Sequence, residues 1–164
     1  VAKGKDEVPP GYVPAGYVAK EVGQKIVTPN GLEFEALELG TREEGPRNGP
    51  PKSQANVWVK FVGHLDSFDG PIFDSTILRG KRKPKQPDYV ETRLNLDPNV
   101  PNGIVEAVKL MKVGGKGRFV QPPLLFYGEG KATLEADEDA GGVGKVPPNT
   151  TTYYEVELVS IVKP

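Results

Sequence analysis

A chain of 164 residues fits one domain of ordinary size, and its 21 basic and 22 acidic side chains leave a net charge of -1, so no global field favours nucleic acid or an anionic membrane. Cys is absent and His64 is the single histidine; disulfides, thiolate metal sites and a cysteine nucleophile are excluded, and no G-x-S-x-G turn accompanies His64 to suggest a serine hydrolase. With 20 Gly, 17 Pro and 37% hydrophobic residues, a modest core with rigidly turned connections is expected, and no run of 18 apolar residues exists to span a membrane.

The chain begins with Val, which suggests a removed leader or a missing N-terminal part. Residues 1–27 read as an extended arm, because Pro9-Pro10-Gly11-Tyr12-Val13 is followed at once by Pro14-Ala15-Gly16-Tyr17-Val18, and Pro and Gly at that density favour polyproline-like backbone. It is either a flexible terminus or an arm whose Tyr12 and Tyr17 anchor on a partner surface. Residues 28–164 read as the folded domain. Pro29-Asn30-Gly31 is a turn, and Leu32, Phe34 and Ala36 then alternate with glutamates in the period of a half-buried strand. Residues 40–52 are loop. Val57, Val59 and Phe61 mark a second strand, which Gly63 is expected to close.

Phe73-Asp74-Ser75-Thr76 follows a turn at Asp69-Gly70-Pro71. Arg79, Lys81, Arg82, Lys83 and Lys85 then form a basic run that is a solvated loop, a nuclear-import signal or a phosphate-binding patch. A further strand is expected within residues 89–96. Ile104, Ala107, Val108 and Met111 recur at helical spacing, so a short helix lays one apolar stripe on the core, and Gly114-Gly115 is expected to stop it. A strand over residues 117–121 ends at Pro122-Pro123. Leu124, Leu125 and Phe126 then group on a predicted surface turn, the kind of exposed apolar cluster that marks a partner contact. Residues 129–146 carry Glu135, Asp137, Glu138 and Asp139 in an expected exposed loop; Ca²⁺ is the sharper alternative, but the EF-hand spacing is lacking. Tyr154, Val156 and Leu158 alternate in a last strand. Several strands and one short helix predict an α+β domain in which an antiparallel sheet wraps the helix.

Helix, paired glycines, strand, Pro-Pro and Tyr127-Gly128 in this order resemble the FKBP-type peptidyl-prolyl isomerases, the immunophilins that bind tacrolimus. Val59-Lys60-Phe61-Val62-Gly63 is similar to the family's V-H-Y-T-G strand, and Phe73-Asp74-Ser75-Thr76 to its F-D-S-S. Val146-Pro147-Pro148 resembles I-P-P, and Tyr154-Glu155-Val156-Glu157-Leu158 resembles F-D-V-E-L. The resemblance implies a pocket for X-Pro peptide segments lined by Phe61, Phe73, Val100, Ile104, Val146 and Tyr154. Asp74 and Tyr127 would be its polar handles; no cofactor or metal is implied. Taken singly, Phe61, Phe73 and Tyr154 also read as core aromatics and Asp74 as a turn cap.

Three departures bear on the pocket, one of them Lys145, where an apolar flap residue is usual. Ile104 replaces the family's floor tryptophan, and Pro101 replaces a residue whose backbone N–H meets the ligand, which proline lacks. The resemblance with Gly103-Ile104 points to plastid members. It thereby implies a thylakoid-lumen protein, either a weakly active isomerase or an FKBP-fold scaffold subunit that its arm attaches to a large membrane-associated photosynthetic complex. The basic run alone suggests a nucleus instead, and the cytoplasm is the remaining alternative.

Overall fold

The computed structural model describes residues 9–14, 16–40, 51, 54–76, 89–96, 100–126, 146 and 149–162, with the side chains of Leu124 and Phe126 excepted. Among them, seven strands form one antiparallel sheet: β1 Lys25–Val27, β2 Glu33–Leu39, β3 Asn56–Leu65, β4 Ile72–Ser75, β5 Val90–Arg93, β6 Gly115–Gln121 and β7 Thr152–Val162. The order is β1-β2-β6-β7-β3-β4, and β5 shares with β4 the far edge of β3. Helix α1, Asn102–Val108, packs on the inner face, and a single helical turn α2, Pro123–Phe126, follows β6. The expected α+β architecture of a sheet around one short helix is the one observed.

Period-2 alternation decides which side chains meet α1. Phe34, Ala36, Val57, Val59, Phe61, Phe119, Tyr154, Val156 and Leu158 are buried, against Ile104, Ala107 and Val108 of the helix. The opposite face is a ladder of alternating charge. Lys60, Glu157, Lys116 and Glu38 stand side by side on β3, β7, β6 and β2, and two residues along the strands Arg118 lies between Glu155 and Glu35. Arg118 donates to Glu35 at 3.1 Å. Such pairs are half-exposed and each contributes little, at most about 1 kcal/mol, but opposite signs across strands fix register and keep this face wet.

Three local expectations change. Gly63 does not close β3, which runs on to Leu65; it provides room, because a Cβ there would stand 2.8 Å from Phe73 Cζ and 2.9 Å from Tyr154 Cε2. The helix ends at Val108 rather than at the paired glycines. Gly114, with φ +85°, instead closes the Lys112–Gly115 turn that opens β6, and Met111 is buried beyond the helix. The boundary at residue 27 also moves: β1 belongs to the sheet, and the described part of the arm folds back on its own domain. Gly11 N–H donates to Val27, Ala19 N–H to Leu110 and Gly23 N–H to Ala36, while Ala19 is buried.

His64, the single histidine, secures the β3–β4 hairpin. Its Nδ1 lies 2.8 Å from the Gly70 carbonyl oxygen, so that nitrogen carries the proton and donates. The basic run at 79–85 and the acidic run at 135–139 lie outside the described residues. No helix among the described residues is long and apolar enough to cross a membrane.

Candidate functional site

The inner face gathers an aromatic cluster from four strands. Tyr154 of β7 stacks on Phe119 of β6 with ring centroids 5.3 Å apart, meets Phe73 of β4 edge-on at 5.7 Å, and lies tilted to Phe61 of β3 at 6.0 Å. Stacked and edge-on pairs at these separations align the ring quadrupoles favourably. Gly63 pairs with Asp74 on one side and Tyr154 on the other. Asp74, Gly63 and Tyr154 therefore share one rung, with the buried Asp74 next to Phe73 in the chain and across Gly63 from Tyr154. The close ring packing requires glycine in the middle. Beyond the end of β4, the Thr76 hydroxyl accepts the Phe61 N–H at 3.3 Å and continues the pairing by a side chain.

Helix α1 closes the cluster from above. Val100 and Pro101 precede it, Ile104 in its first turn is fully buried, and Val146 from a distant segment joins the same apolar core. Phe61, Phe73, Val100, Ile104, Val146 and Tyr154 thus belong to one contiguous buried cluster with Asp74 at its side. Tyr127 and Lys145 lie outside the described residues.

The start of the helix has few backbone donors to offer a ligand. Pro101 has no N–H, the Gly103 N–H is given to Gln121 Oε1 at 2.8 Å, and the Ile104 N–H to the Pro101 carbonyl at 3.1 Å. Gln121 and its partner Thr152, both fully buried, were not expected to bear on the site, nor was Phe119. The signal was a polar amide at an inward position of β6, where period 2 calls for an apolar side chain.

The expected partner contacts separate. Tyr12 is 62% exposed, but Tyr17 packs against the chain's own core, and its hydroxyl accepts from Gln24 Nε2 at 2.6 Å. Leu125, in α2, is buried in the core. The side chains of Leu124 and Phe126 lie outside the described residues. Two open clefts border the arm. One, of about 580 Å³, lies between the arm, Leu39 and Lys112, and the other, of about 540 Å³, between Tyr17, Asn30, Val105 and Leu125. Neither touches the aromatic cluster.

The family pattern described as FKBP-type peptidyl-prolyl cis-trans isomerase matches residues 47–159. FkpA of Aeromonas hydrophila is 33% identical over 146 residues, covering 89% of this chain and 43% of that protein. FK506-binding protein 4 of Dictyostelium discoideum is 34% identical over 141 residues, covering 86% of this chain and 31% of that protein. The chain therefore spans less than half the length of these relatives. Among solved structures, FkpA from Escherichia coli superposes with a TM-score of 0.59 at 32% identity, over 87% of this chain and 53% of that one. AtFKBP13, at 23% identity and a TM-score of 0.60 over 85% of this chain and 99% of that one, shares the fold. By pattern, by identity and by the sheet wrapped on its short helix, this chain belongs to the FKBP-type peptidyl-prolyl cis-trans isomerases.

Proposed function

We propose that this chain is a peptidyl-prolyl isomerase of reduced activity, acting on X-Pro segments through Phe61, Phe73, Ile104 and Tyr154 with Asp74 and Tyr127 as polar handles. The observation that carries this reading is the Asp74–Gly63–Tyr154 rung, in which the buried Asp74 lies across Gly63 from Tyr154 of the aromatic cluster. Isomerisation needs no nucleophile. Its barrier of about 18–20 kcal/mol is the partial double bond of the imide, and a site that binds the twisted imide better than either planar form lowers it. A twisted carbonyl has lost conjugation and tolerates a dry, aromatic surrounding.

The reduction follows from the first turn of α1. A substrate or tacrolimus molecule loses the N–H that Pro101 cannot supply, and one hydrogen bond is worth about 0.5–1.5 kcal/mol, up to about tenfold in affinity. Ile104 also offers less surface than an indole. Following cis-to-trans relaxation of a proline peptide tests the reading: wild type accelerates it modestly, and Asp74→Ala or Asp74→Asn lowers that acceleration about tenfold or more. A rate that neither variant changes overturns it.

Pro101 and Ile104 equally favour a second reading, a scaffold subunit of a larger thylakoid complex with no turnover. Exposed Tyr12 would then make the contact, since Tyr17 and Leu125 are engaged within the chain. An inactive wild type that co-sediments with a large complex supports this second reading.

A further inference from the structure

Gln121 ends β6 at an inward-facing position, two residues after Phe119, and is fully buried. A buried primary amide brings donors and an acceptor that must be matched. Its Oε1 accepts the Gly103 N–H at 2.8 Å, and its Nε2 donates to the Thr152 hydroxyl at 2.8 Å. That orientation is chemically fixed, because a nitrogen facing Gly103 would set donor against donor. Gln121 and Thr152 are direct cross-strand neighbours, two residues along from the Phe119–Tyr154 pair. One amide thus joins the first turn of α1 to the end of β6 and the beginning of β7.

The helix needs that support. Its N-cap is Pro101, which makes no side-chain capping bond, so an orphan N–H of the first turn is satisfied from another element. Gly103 has no space for a side chain, since a Cβ there would collide with Gln121 Oε1 and stand 2.9 Å from Phe119 Cε1. The backbone therefore sits directly on the amide, and the neighbouring residue is Ile104.

We propose that Gln121 is a positioning residue for the pocket floor: its amide, fixed by the Thr152 hydroxyl, sets the height of the first turn of α1, and so of Val100 and Ile104, over Tyr154. This assignment rests on the isomerase reading and adds to it a buried polar clamp outside the pocket residues. Gln121→Leu endangers the core, so the test removes the hydroxyl and leaves the amide, in the full 164-residue chain. Thr152→Val keeps the volume, Thr152→Ser keeps the hydroxyl, and Ile26→Val on the edge strand β1 is a stability control outside the residues assigned to the pocket and the clamp.

Loss of one buried partner predicts about tenfold faster hydrogen exchange at the Gly103 amide in Thr152→Val, a shifted Ile104 methyl resonance, and a kcat/KM reduced about three- to tenfold well below the melting temperature. Thr152→Ser restores all three, and Ile26→Val leaves kcat/KM unchanged. Unaltered Gly103 exchange in Thr152→Val overturns the assignment, as does a kcat/KM that merely follows stability in Thr152→Val and Ile26→Val alike. If wild type shows no catalysis, the isomerase reading fails by itself, and Gly103 exchange with the Ile104 methyl shift then decides the clamp.

Discussion

Tyr154 lies almost parallel to Phe119, ring centroids 5.3 Å apart and planes 7° from coplanar, and this stack is the centre on which the rings of Phe61 and Phe73 converge. Gly63 is what lets them converge, since a Cβ there would press on both Phe73 and Tyr154. Gly63→Ala is expected to destabilise the chain by about 1–3 kcal/mol through overpacking. Urea unfolding measures this, and an unchanged midpoint would mean that the rings have slack the packing denies.

The folded-back arm makes a second expectation. Removing residues 1–22 deletes buried Ala19, the packing of Val13 and Tyr17, and the hydrogen bond from Ala19 to Leu110. The melting temperature should fall by several degrees, at about 2–4 °C per kcal/mol for a domain of this size. Tyr17→Phe should produce a smaller fall, from loss of the Gln24 bond, of about 0.5–1.5 kcal/mol. A truncated chain as stable as the whole would show that the arm does not dock on its own domain.

Leu125 gives a third. Because it is buried, Leu125→Glu is expected to destabilise the domain by about 2–5 kcal/mol for the lost apolar side chain, with the buried charge adding to that. Thermal unfolding decides. Retained stability accompanied by loss of a partner would instead restore Leu125 as a surface contact.

At the helix start, Pro101→Ile returns a backbone donor and Ile104→Trp returns an aromatic floor. The double variant should bind tacrolimus about tenfold more tightly than wild type. Titration calorimetry reads the difference. Equal affinities would separate these two positions from the ligand.

What was legible in the sequence, and what was not, divides by range. Leu32-Phe34-Ala36, Val57-Val59-Phe61 and Tyr154-Val156-Leu158 declare strands because each buries one face, and their alternation is local. The stripe Ile104-Ala107-Val108-Met111 declares burial equally well but overstates the helix, since Met111 reaches the core from a turn beyond Val108. Pro and Gly in the arm predict an extended backbone, yet each repeat closes a turn, Tyr12 N–H donating to Pro9 and Tyr17 N–H to Pro14 with Gly11 and Gly16 at positive φ, and neither reveals the surface the arm meets. That surface includes the Leu110 carbonyl, supplied by a segment remote in sequence. Gln121 was hidden for the same reason: its partners stand 18 and 31 residues away, and only the fold brings them together.

The most direct test of the isomerase account is magnetisation-transfer NMR on a short X-Pro peptide, which reads the cis–trans exchange rate at equilibrium without a coupling enzyme. With catalytic amounts of the wild-type chain, exchange should rise above the uncatalysed rate, and saturating tacrolimus should return it to that rate. Exchange that stays at the uncatalysed rate, or an enhancement that tacrolimus leaves intact, would contradict a pocket built on Phe61, Phe73, Asp74 and Tyr154.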